Sequence, residues 1–250
     1  MAETAPSQRA PHHRLAVHQQ LGPLRLDVDL TFSAPWTLIF GPSGSGKSSL
    51  LRAACGLLDR KGTGFERCSP GGQWDSVSTL ATHRRALSYA PQTPTLFPHL
   101  TVFNNAAFPS KSSRNSRNHQ LLVEQALELF EVKNYASRLP RELSGGERQR
   151  VNLARAFAVP EAKLMLLDEP FSGVDRAMRD ALLPRMQEWL LQREIPVISV
   201  SHDVDEALLL GAEVVMLASG SVVNQGPAAG VLSEERARML KILSPPEERP

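Results

Sequence analysis

A glycine-rich segment between an apolar run and a helix-like run has the residue types needed to bind a polyphosphate. It reads GPSGSGKSS and follows directly after Trp36–Phe40, a match to G-x-x-x-x-G-K-[ST] in its expected context. Glycines let backbone N–H groups approach phosphate oxygens, and the positive end of the next helix faces the same anion. Lys47 is expected to reach the β- and γ-phosphates, and Ser48 to bind Mg²⁺. The predicted nucleotide-binding residues here are Gly41, Pro42, Ser43, Gly44, Ser45, Gly46, Lys47, Ser48 and Ser49.

Two carboxylates follow a second apolar run. Residues 164–167 are wholly apolar and lead into Asp168 and Glu169. Ligands of open α/β sheets bind at the carboxyl ends of the strands, where a buried parallel strand would deliver both side chains. We expect Asp168 to hold Mg²⁺ and Glu169 to be the general base that orients or deprotonates the attacking water. A solvated acidic turn is the alternative, and the phosphate loop upstream disfavours it.

Two further polar residues follow predicted strands. His202 comes after the predicted strand 196–200 and is expected to contact a γ-phosphate. Gln92 follows the strand ending at Pro91, from which it would reach Mg²⁺ or the water. Taken alone, a His or Gln at such a place is commonly structural. The predicted catalytic residues are Lys47, Gln92, Glu169 and His202, and the predicted metal ligands are Ser48, Gln92 and Asp168.

The elements that must position these residues alternate between strands and helices, which predicts a parallel sheet covered by helices. Helical spacing of apolar residues marks the region from about 93 to 161, in which the polar stretch 109–120 is expected to be a solvated loop. The remaining expectations are short strands in 15–40, a strand at 86–91, a final strand pair at 214–217 and 221–224, and a terminal helix at 227–243.

Composition excludes several classes of protein. The 250 residues are 42% hydrophobic and 22% charged with a formal net charge of +2, so nothing indicates binding to nucleic acid or anionic lipid. The two cysteines, Cys55 and Cys68, predict a reducing compartment rather than a disulfide framework. Residues 1–14 contain no apolar run, which argues against a signal peptide, and the longest apolar stretch, 207–218, is too short to cross a bilayer.

Kinases, GTPases and helicases can share a phosphate loop and an acidic strand end, but one more segment separates them. Residues 143–150 read LSGGERQR, which resembles the signature sequence of ABC (ATP-binding cassette) ATPases. Physically it is a second anion site, with a serine hydroxyl and glycine amides at the start of a helix. A helix N-cap explains the serine but not two adjacent glycines. The nucleotide-binding residues predicted here are Ser144, Gly145, Gly146 and Glu147.

The resemblance implies an α/β P-loop NTPase fold: a RecA-like parallel-sheet core, an N-terminal antiparallel β subdomain and an inserted helical subdomain at about 93–161. A single domain would span 15–245, between a flexible N-terminus (1–14) and a tail (246–250). It further implies ATP hydrolysis with ATP and Mg²⁺, Gln92 in the Q-loop, residues 172–175 as the D-loop, and His202 as the switch histidine.

The same resemblance implies partners. Two cassettes pack head to tail in this family, so Ser144 of one chain would complete the site begun by Lys47 of the other. Permease subunits would anchor the protein at the cytoplasmic face of the cell membrane, a solute-binding protein would act indirectly, and nucleic acid is not expected. The permease helix would dock at residues 95–99, although Leu96 and Phe97 also suit an ordinary core.

Finer features resemble the ATPase subunit of molybdate importers: Arg84-Arg85, the run 96–102, residues 182–184, and Asp205-Glu206 after His202. Related anion importers share several of these. From its length, we expect the chain to lack the C-terminal oxyanion-binding domain that is common in that branch. It also departs from the family, because residues 17–21 contain no Phe, Tyr or Trp to stack on adenine. His18 or Leu21 is the candidate replacement.

Two other functions stay open at this point. A soluble ABC ATPase of translation or DNA repair typically has two cassettes or a long coiled-coil insertion, and this sequence has neither. A small-molecule kinase would need an acceptor pocket and would have no use for residues 143–150.

Overall fold

The structure is a computed structural model that describes residues 12–69, 71–109, 117–233 and 235. The strands of this part are β1 His13–Leu21, β2 Leu24–Phe32, β3 Trp36–Phe40, β4 Thr63–Cys68, β5 Trp74–Ser76, β6 Leu87–Ala90, β7 Leu164–Asp168, β8 Val197–Val200, β9 Glu213–Ala218 and β10 Ser221–Pro227. The α-helices are α1 Lys47–Cys55, α2 Val102–Ala106, α3 Arg117–Leu129, α4 Gly145–Phe157, α5 Arg176–Gln192, α6 Val204–Leu209 and α7 Ala228–Val231.

All of these strands belong to one sheet, in the order β5-β4-β1-β2-β10-β9-β3-β8-β7-β6. Strands β9, β3, β8, β7 and β6 are parallel to their neighbours within that group, whereas β5, β4, β1 and β2 form an antiparallel arm. The expected α/β architecture is therefore confirmed. In addition, the arm and the parallel group are continuous, because β10 pairs with β9 and, at Ser221 and Asp27, with β2.

The strands of the parallel group are rich in apolar residues because both faces of this part of the sheet are covered. In β7, Leu164 and Leu166 belong to the core on the α1 side, and Met165 and Leu167 belong to the core formed with the remaining helices. Side chains alternate between the faces of a strand, so every position of β7 is buried. Asp168 consequently ends a strand that is packed on both faces.

Strands β3, β8, β7 and β6 are neighbours and run in the same direction, so their carboxyl ends lie along one edge of the sheet. The phosphate loop follows β3, Asp168 ends β7, and Gln92 and His202 come two residues after β6 and β8. The sequence predicted this convergence from the strand-end rule alone.

Some boundaries differ from expectation. Helix α3 begins at Arg117, so the end of the stretch predicted as a loop (109–120) is helical, while 110–116 lies outside the described residues. Strand β1 begins at His13, inside the segment expected to be flexible. Residues 93–101 are not helical, although they open the predicted helical region. The predicted terminal helix is represented by the short α7, and 236–250 lies outside the described residues.

Candidate nucleotide-binding site

Close packing determines the shape of the phosphate loop. Gly41 has φ +149°, and a Cβ on it would lie 2.1 Å from the carbonyl oxygen of Leu217 in β9. Gly46, which precedes α1, has φ +103°, and a Cβ there would lie 2.8 Å from the Leu26 side chain. Both positions therefore require glycine. Between them Pro42, Ser43 and Gly44 are exposed, so the outer face of the loop is open to a ligand.

Lys47 points back into this loop. Its Nζ donates hydrogen bonds to the carbonyl oxygens of Gly41, at 2.8 Å, and Pro42, at 2.9 Å. Burial lowers the pKa of the ammonium group, and the carboxylates of Glu169 and Asp168 act in the opposite direction. The Oγ of Ser45 is buried and has no hydrogen-bond partner among the described residues. Buried polar groups normally have partners, so the loop contains hydrogen-bonding capacity beyond what the protein itself uses.

Asp168 is held beneath the loop by two hydroxyl groups. Ser48 donates to its Oδ1 at 2.8 Å, and Tyr89 of β6 donates to its Oδ2 at 3.2 Å. The aspartate is only 1% exposed. Burial raises its pKa, and the two hydrogen bonds oppose that rise. Burial also raises the pKa of Tyr89 to about 12, so the phenol keeps its proton and stays a donor. Sequence reasoning missed Tyr89, which no motif marks.

Glu169 lies between two of the other predicted residues. Gln92 donates from Nε2 to the Glu169 Oε2 at 2.7 Å, and His202 Nδ1 is 3.8 Å from the Oε1. The backbone of Glu169 has φ +44°, which costs a non-glycine residue about 1–3 kcal/mol. Its N–H bonds to the carbonyl of Val200 at 3.0 Å. The sheet thus holds this residue in a strained conformation that directs the carboxylate between Gln92 and His202.

The loop that carries His202 is held by helix α5. Arg179, whose side chain is 7% exposed, forms ion pairs with Asp203 and Asp180, and its Nη1 lies 3.9 Å from the Glu206 carboxylate. Ser201 accepts a hydrogen bond from the N–H of Asp203 at 3.0 Å. His202 itself is exposed, with 76% of its side chain accessible. The sequence predicted the histidine, but not the arginine that orders the loop after it.

Ser144 is the N-cap residue of helix α4. Its Oγ accepts from the N–H of Glu147, and the Glu147 carboxylate accepts from the N–H of Ser144 at 2.6 Å, which is a capping box. A Cβ on Gly146 would lie 3.1 Å from the carbonyl oxygen of Gly173, so the start of α4 contacts the predicted D-loop. Among the described residues, no hydrogen bond or ion pair joins residues 144–147 to residues 41–49 of the same chain.

The region without Phe, Tyr or Trp, residues 17–21, lies on β1. His18 Nδ1 is 2.7 Å from the Asp27 Oδ1, and its Nε2 is 3.5 Å from the Asp29 carboxylate. The hydrogen bond with Asp27 is the main reason that the pKa of His18 is raised. Of the two candidate replacements for the aromatic residue, His18 is therefore already paired with two carboxylates, and Leu21 is half-buried against the core.

The site has a glycine-rich phosphate loop after one strand, an acidic pair at the end of a second, and polar residues after two more. These features define a P-loop nucleotide-binding protein. The signature-like turn that begins α4 narrows this class to one family. The family model described as ABC transporter matches residues 26–172, and the chain belongs to this family.

Relatives with curated descriptions agree. The chain is 37% identical over 230 residues to the molybdenum import ATP-binding protein of Rhodopseudomonas palustris, a match that covers 90% of this chain and 61% of that protein. It is 31% identical over 231 residues to the molybdate/tungstate import ATP-binding protein of Archaeoglobus fulgidus, with 92% of this chain and 93% of that protein covered. The chain thus spans about three fifths of the molybdenum import relatives, such as that of Methylococcus capsulatus at 58%.

Solved structures share the fold. A dimeric bacterial ABC transporter cassette matches with a TM-score of 0.73 and 22% identity, over 86% of this chain and 98% of that chain. An ATP-binding cassette in its ADP conformation matches with a TM-score of 0.74 and 20% identity, over 94% and 100%. Of the helices that the structure describes, none combines the length and the apolar character needed to span a bilayer.

Proposed function

We propose that this protein is the ATP-binding and ATP-hydrolysing subunit of an ABC importer, and that it powers uptake of molybdate or a related oxyanion across the cytoplasmic membrane. The observation that carries the proposal is the contact of Glu169 with Gln92, next to the Ser48–Asp168 pair. The relatives named for molybdenum and molybdate/tungstate import support the cargo. Fold likeness alone would not support it.

Residues 41–49 would bind the phosphates of ATP. Backbone N–H groups of the loop and of the first turn of α1 would face the anion. Lys47 would exchange its two carbonyl partners, Gly41 and Pro42, for phosphate oxygens. This exchange favours the bound state, because the ammonium group is buried, its pKa is lowered, and its hydrogen-bond partners among the described residues are two neutral carbonyls.

The residues present suit a magnesium ion. Ser48 and Asp168 bring a hydroxyl and a carboxylate oxygen within 2.8 Å of each other, and Gln92 supplies an amide nearby. Among the described residues no group of three or more His, Cys, Asp or Glu side chains could hold a metal. Mg²⁺ usually needs only one or two carboxylates beside substrate phosphates. When bound, the ion would neutralise negative charge on those phosphates.

Glu169 would act on the attacking water. In hydrolysis, water oxygen bonds to the γ-phosphorus, the bond to the β–γ bridging oxygen breaks, and the water proton passes to a base. The carboxylate of Glu169 would accept that proton, and Gln92 and His202 would hold the carboxylate and the γ-phosphate in line. Both neighbours already face its two oxygens, at 2.7 and 3.8 Å.

A second copy and a permease would complete the transporter. Ser144 and the amides of Gly145 and Gly146 would contact the γ-phosphate bound by the other protomer, consistent with a fold shared with a dimeric cassette. The permease would dock at residues 95–99 on the cytoplasmic face. There Phe97 packs on Phe108 with ring centres 4.1 Å apart, and Asn105 bonds its backbone. A solute-binding protein would deliver the oxyanion.

Reconstitution tests this function. The protein would be co-purified with its membrane permease, placed in proteoliposomes with ATP and Mg²⁺ inside, and supplied with solute-binding protein and molybdate outside. We expect molybdate to accumulate only with ATP. Uptake of neither molybdate nor a related oxyanion would overturn the cargo, and failure of the protein to associate with any membrane permease would overturn the importer.

A further inference from the structure

We infer that Gln149 is a positioning residue: with Asn152, it fastens helix α4 to the two loops that carry Glu169 and Gln92. A displacement at the start of α4 would therefore change the placement of the base in the same chain. The inference rests on the proposed function and extends it, because it names the side chains that make one nucleotide site sensitive to events at the other.

Both residues are polar side chains buried on one helix. Gln149 is 1% exposed and Asn152 is not exposed at all. Gln149 donates from Nε2 to the carbonyl oxygen of Pro170 at 2.9 Å, and Asn152 donates from Nδ2 to the carbonyl oxygen of Pro91 at 3.0 Å. Burying an amide is unfavourable unless it makes such bonds. These bonds therefore order the two loops against α4.

The two acceptors are direct neighbours of site residues. Pro170 follows Glu169, and Pro91 precedes Gln92. Because proline has no N–H, the carbonyl is the one backbone group through which α4 can hold either of them. The hydrogen bond between Gln92 and Glu169, at 2.7 Å, joins the two loops to each other. These contacts thus form a closed ring, which runs from helix α4 through Pro170, Glu169, Gln92 and Pro91 back to the helix.

Three neighbouring features make this ring sensitive to a movement of helix α4. Glu169 has the strained φ of +44° immediately before a proline, a conformation that persists only while its surroundings hold it. Arg155, one turn beyond Asn152, donates to the carbonyl of Thr95 at 2.8 Å and to the Asn152 side chain at 2.9 Å, so the same helix holds the segment after Gln92 as well. At its other end, α4 meets Gly173 through Gly146.

The start of the helix is where the other protomer would act. Ser144 caps α4, and the helix runs without a break from Gly145 to Phe157. Contact of Ser144 with a nucleotide in the second protomer would shift α4 as a unit, and Gln149 would carry the shift to Pro170.

The Oε1 of Gln149 is buried without a hydrogen-bond partner among the described residues. The amide is therefore held through its donor alone.

The test is Gln149→Met, which keeps the volume and removes the amide. Gln187→Met is the matched control, because Gln187 also donates to a backbone carbonyl at 2.9 Å, that of Leu210, away from the site. We expect kcat for ATP hydrolysis to fall about tenfold to a hundredfold in Gln149→Met, as for a small misplacement of a catalytic group. The KM for ATP should not change, and Gln187→Met should keep the wild-type kcat.

A double-mutant cycle with Glu169→Gln separates the possible causes. If Gln149 acts through Glu169, Gln149→Met should not lower further the residual kcat that the Glu169→Gln background keeps. An equal further loss in that background, or a wild-type kcat in folded Gln149→Met, would overturn the inference. Should Gln149→Met not fold, Asn152→Leu is measured by the same criteria. Undiminished hydrolysis by Glu169→Gln would instead refute the proposed base, a result distinct from failure of the inference.

Discussion

Gln92 and Glu169, at the ends of β6 and β7, are joined by a hydrogen bond of 2.7 Å from the amide to the carboxylate. The other carboxylate oxygen faces His202 at 3.8 Å. The proposed base is therefore oriented from two sides by residues that follow two different strands, β6 and β8. Its own strained backbone, at φ +44°, is fixed by the sheet.

Replacing Glu169 by Gln should stop hydrolysis while ATP binding persists. The amide keeps the shape and one oxygen of the carboxylate but loses the base, an effect of about 10²–10⁴ in rate. With ATP and Mg²⁺ the variant should accumulate as a dimer, which size-exclusion chromatography with light scattering would detect. If the isolated subunit stays monomeric, the complex with the permease is measured. Hydrolysis that continues in that complex would reject Glu169 as the base.

Lys47→Ala should abolish ATP turnover and leave the fold intact. Among the residues that the structure describes, the ammonium group hydrogen-bonds to the loop carbonyls of Gly41 and Pro42 alone, so the loss is one of phosphate charge stabilisation rather than of core packing. Phosphate release and circular dichroism are the measurements. Lys133→Ala is the control, because that lysine pairs with Glu128 on the surface. ATPase activity near wild type in folded Lys47→Ala would contradict the site.

Glu206 should make stability depend on pH. Burial raises its pKa from 4.5 to about 7, against the effects of Ser201, Arg179 and His202. Between those values the folded chain holds a proton that the unfolded chain has lost. Its contribution to the free energy of unfolding is therefore fully present below pH 4.5 and is lost as the pH rises through about 7.

The variant Glu206→Gln isolates this contribution. Because Gln cannot ionise, the variant should lose less stability than the wild type as the pH rises from 4.5 to about 7. Urea unfolding at a series of pH values across this window measures the difference. Identical slopes of stability against pH for the two proteins would show that the carboxyl group ionises as freely in the folded state as in the unfolded one.

Discrimination between ATP and GTP should be weak. Residues 17–21 contain no Phe, Tyr or Trp, and stacking of such a ring on a base is worth about 1–3 kcal/mol. His18 is bonded to Asp27 at 2.7 Å and would have to leave it to cover a base. Competition of GTP with ATP for hydrolysis measures the preference. A strong preference for ATP that His18→Ala removes would show that the histidine reads adenine.

Local patterns explain what the sequence could predict. The phosphate loop, Asp168 and Glu169 stand next to strands recognisable from their apolar runs, and parallel strand ends must meet at one edge. Tyr89 was not predicted because its bond to Asp168 joins residues far apart in sequence. The burial of Glu206 likewise depends on how α5 and α6 pack, and nothing around it signals this. The start of α3 at Arg117 was missed because its first turn is polar.

The contact between Gly41 and Leu217 has a consequence for biosynthesis. Strand β3, which delivers the phosphate loop, lies between β8 and β9, and the ribosome makes both of these long after β3. A nascent chain that has just exposed residues 41–49 therefore lacks the carbonyl of Leu217 that Gly41 packs against. Pairing between such distant segments is slow. A nucleotide would bind once the loop is complete. Its binding would therefore stabilise chains whose sheet has closed, because a ligand that binds only the folded state stabilises that state.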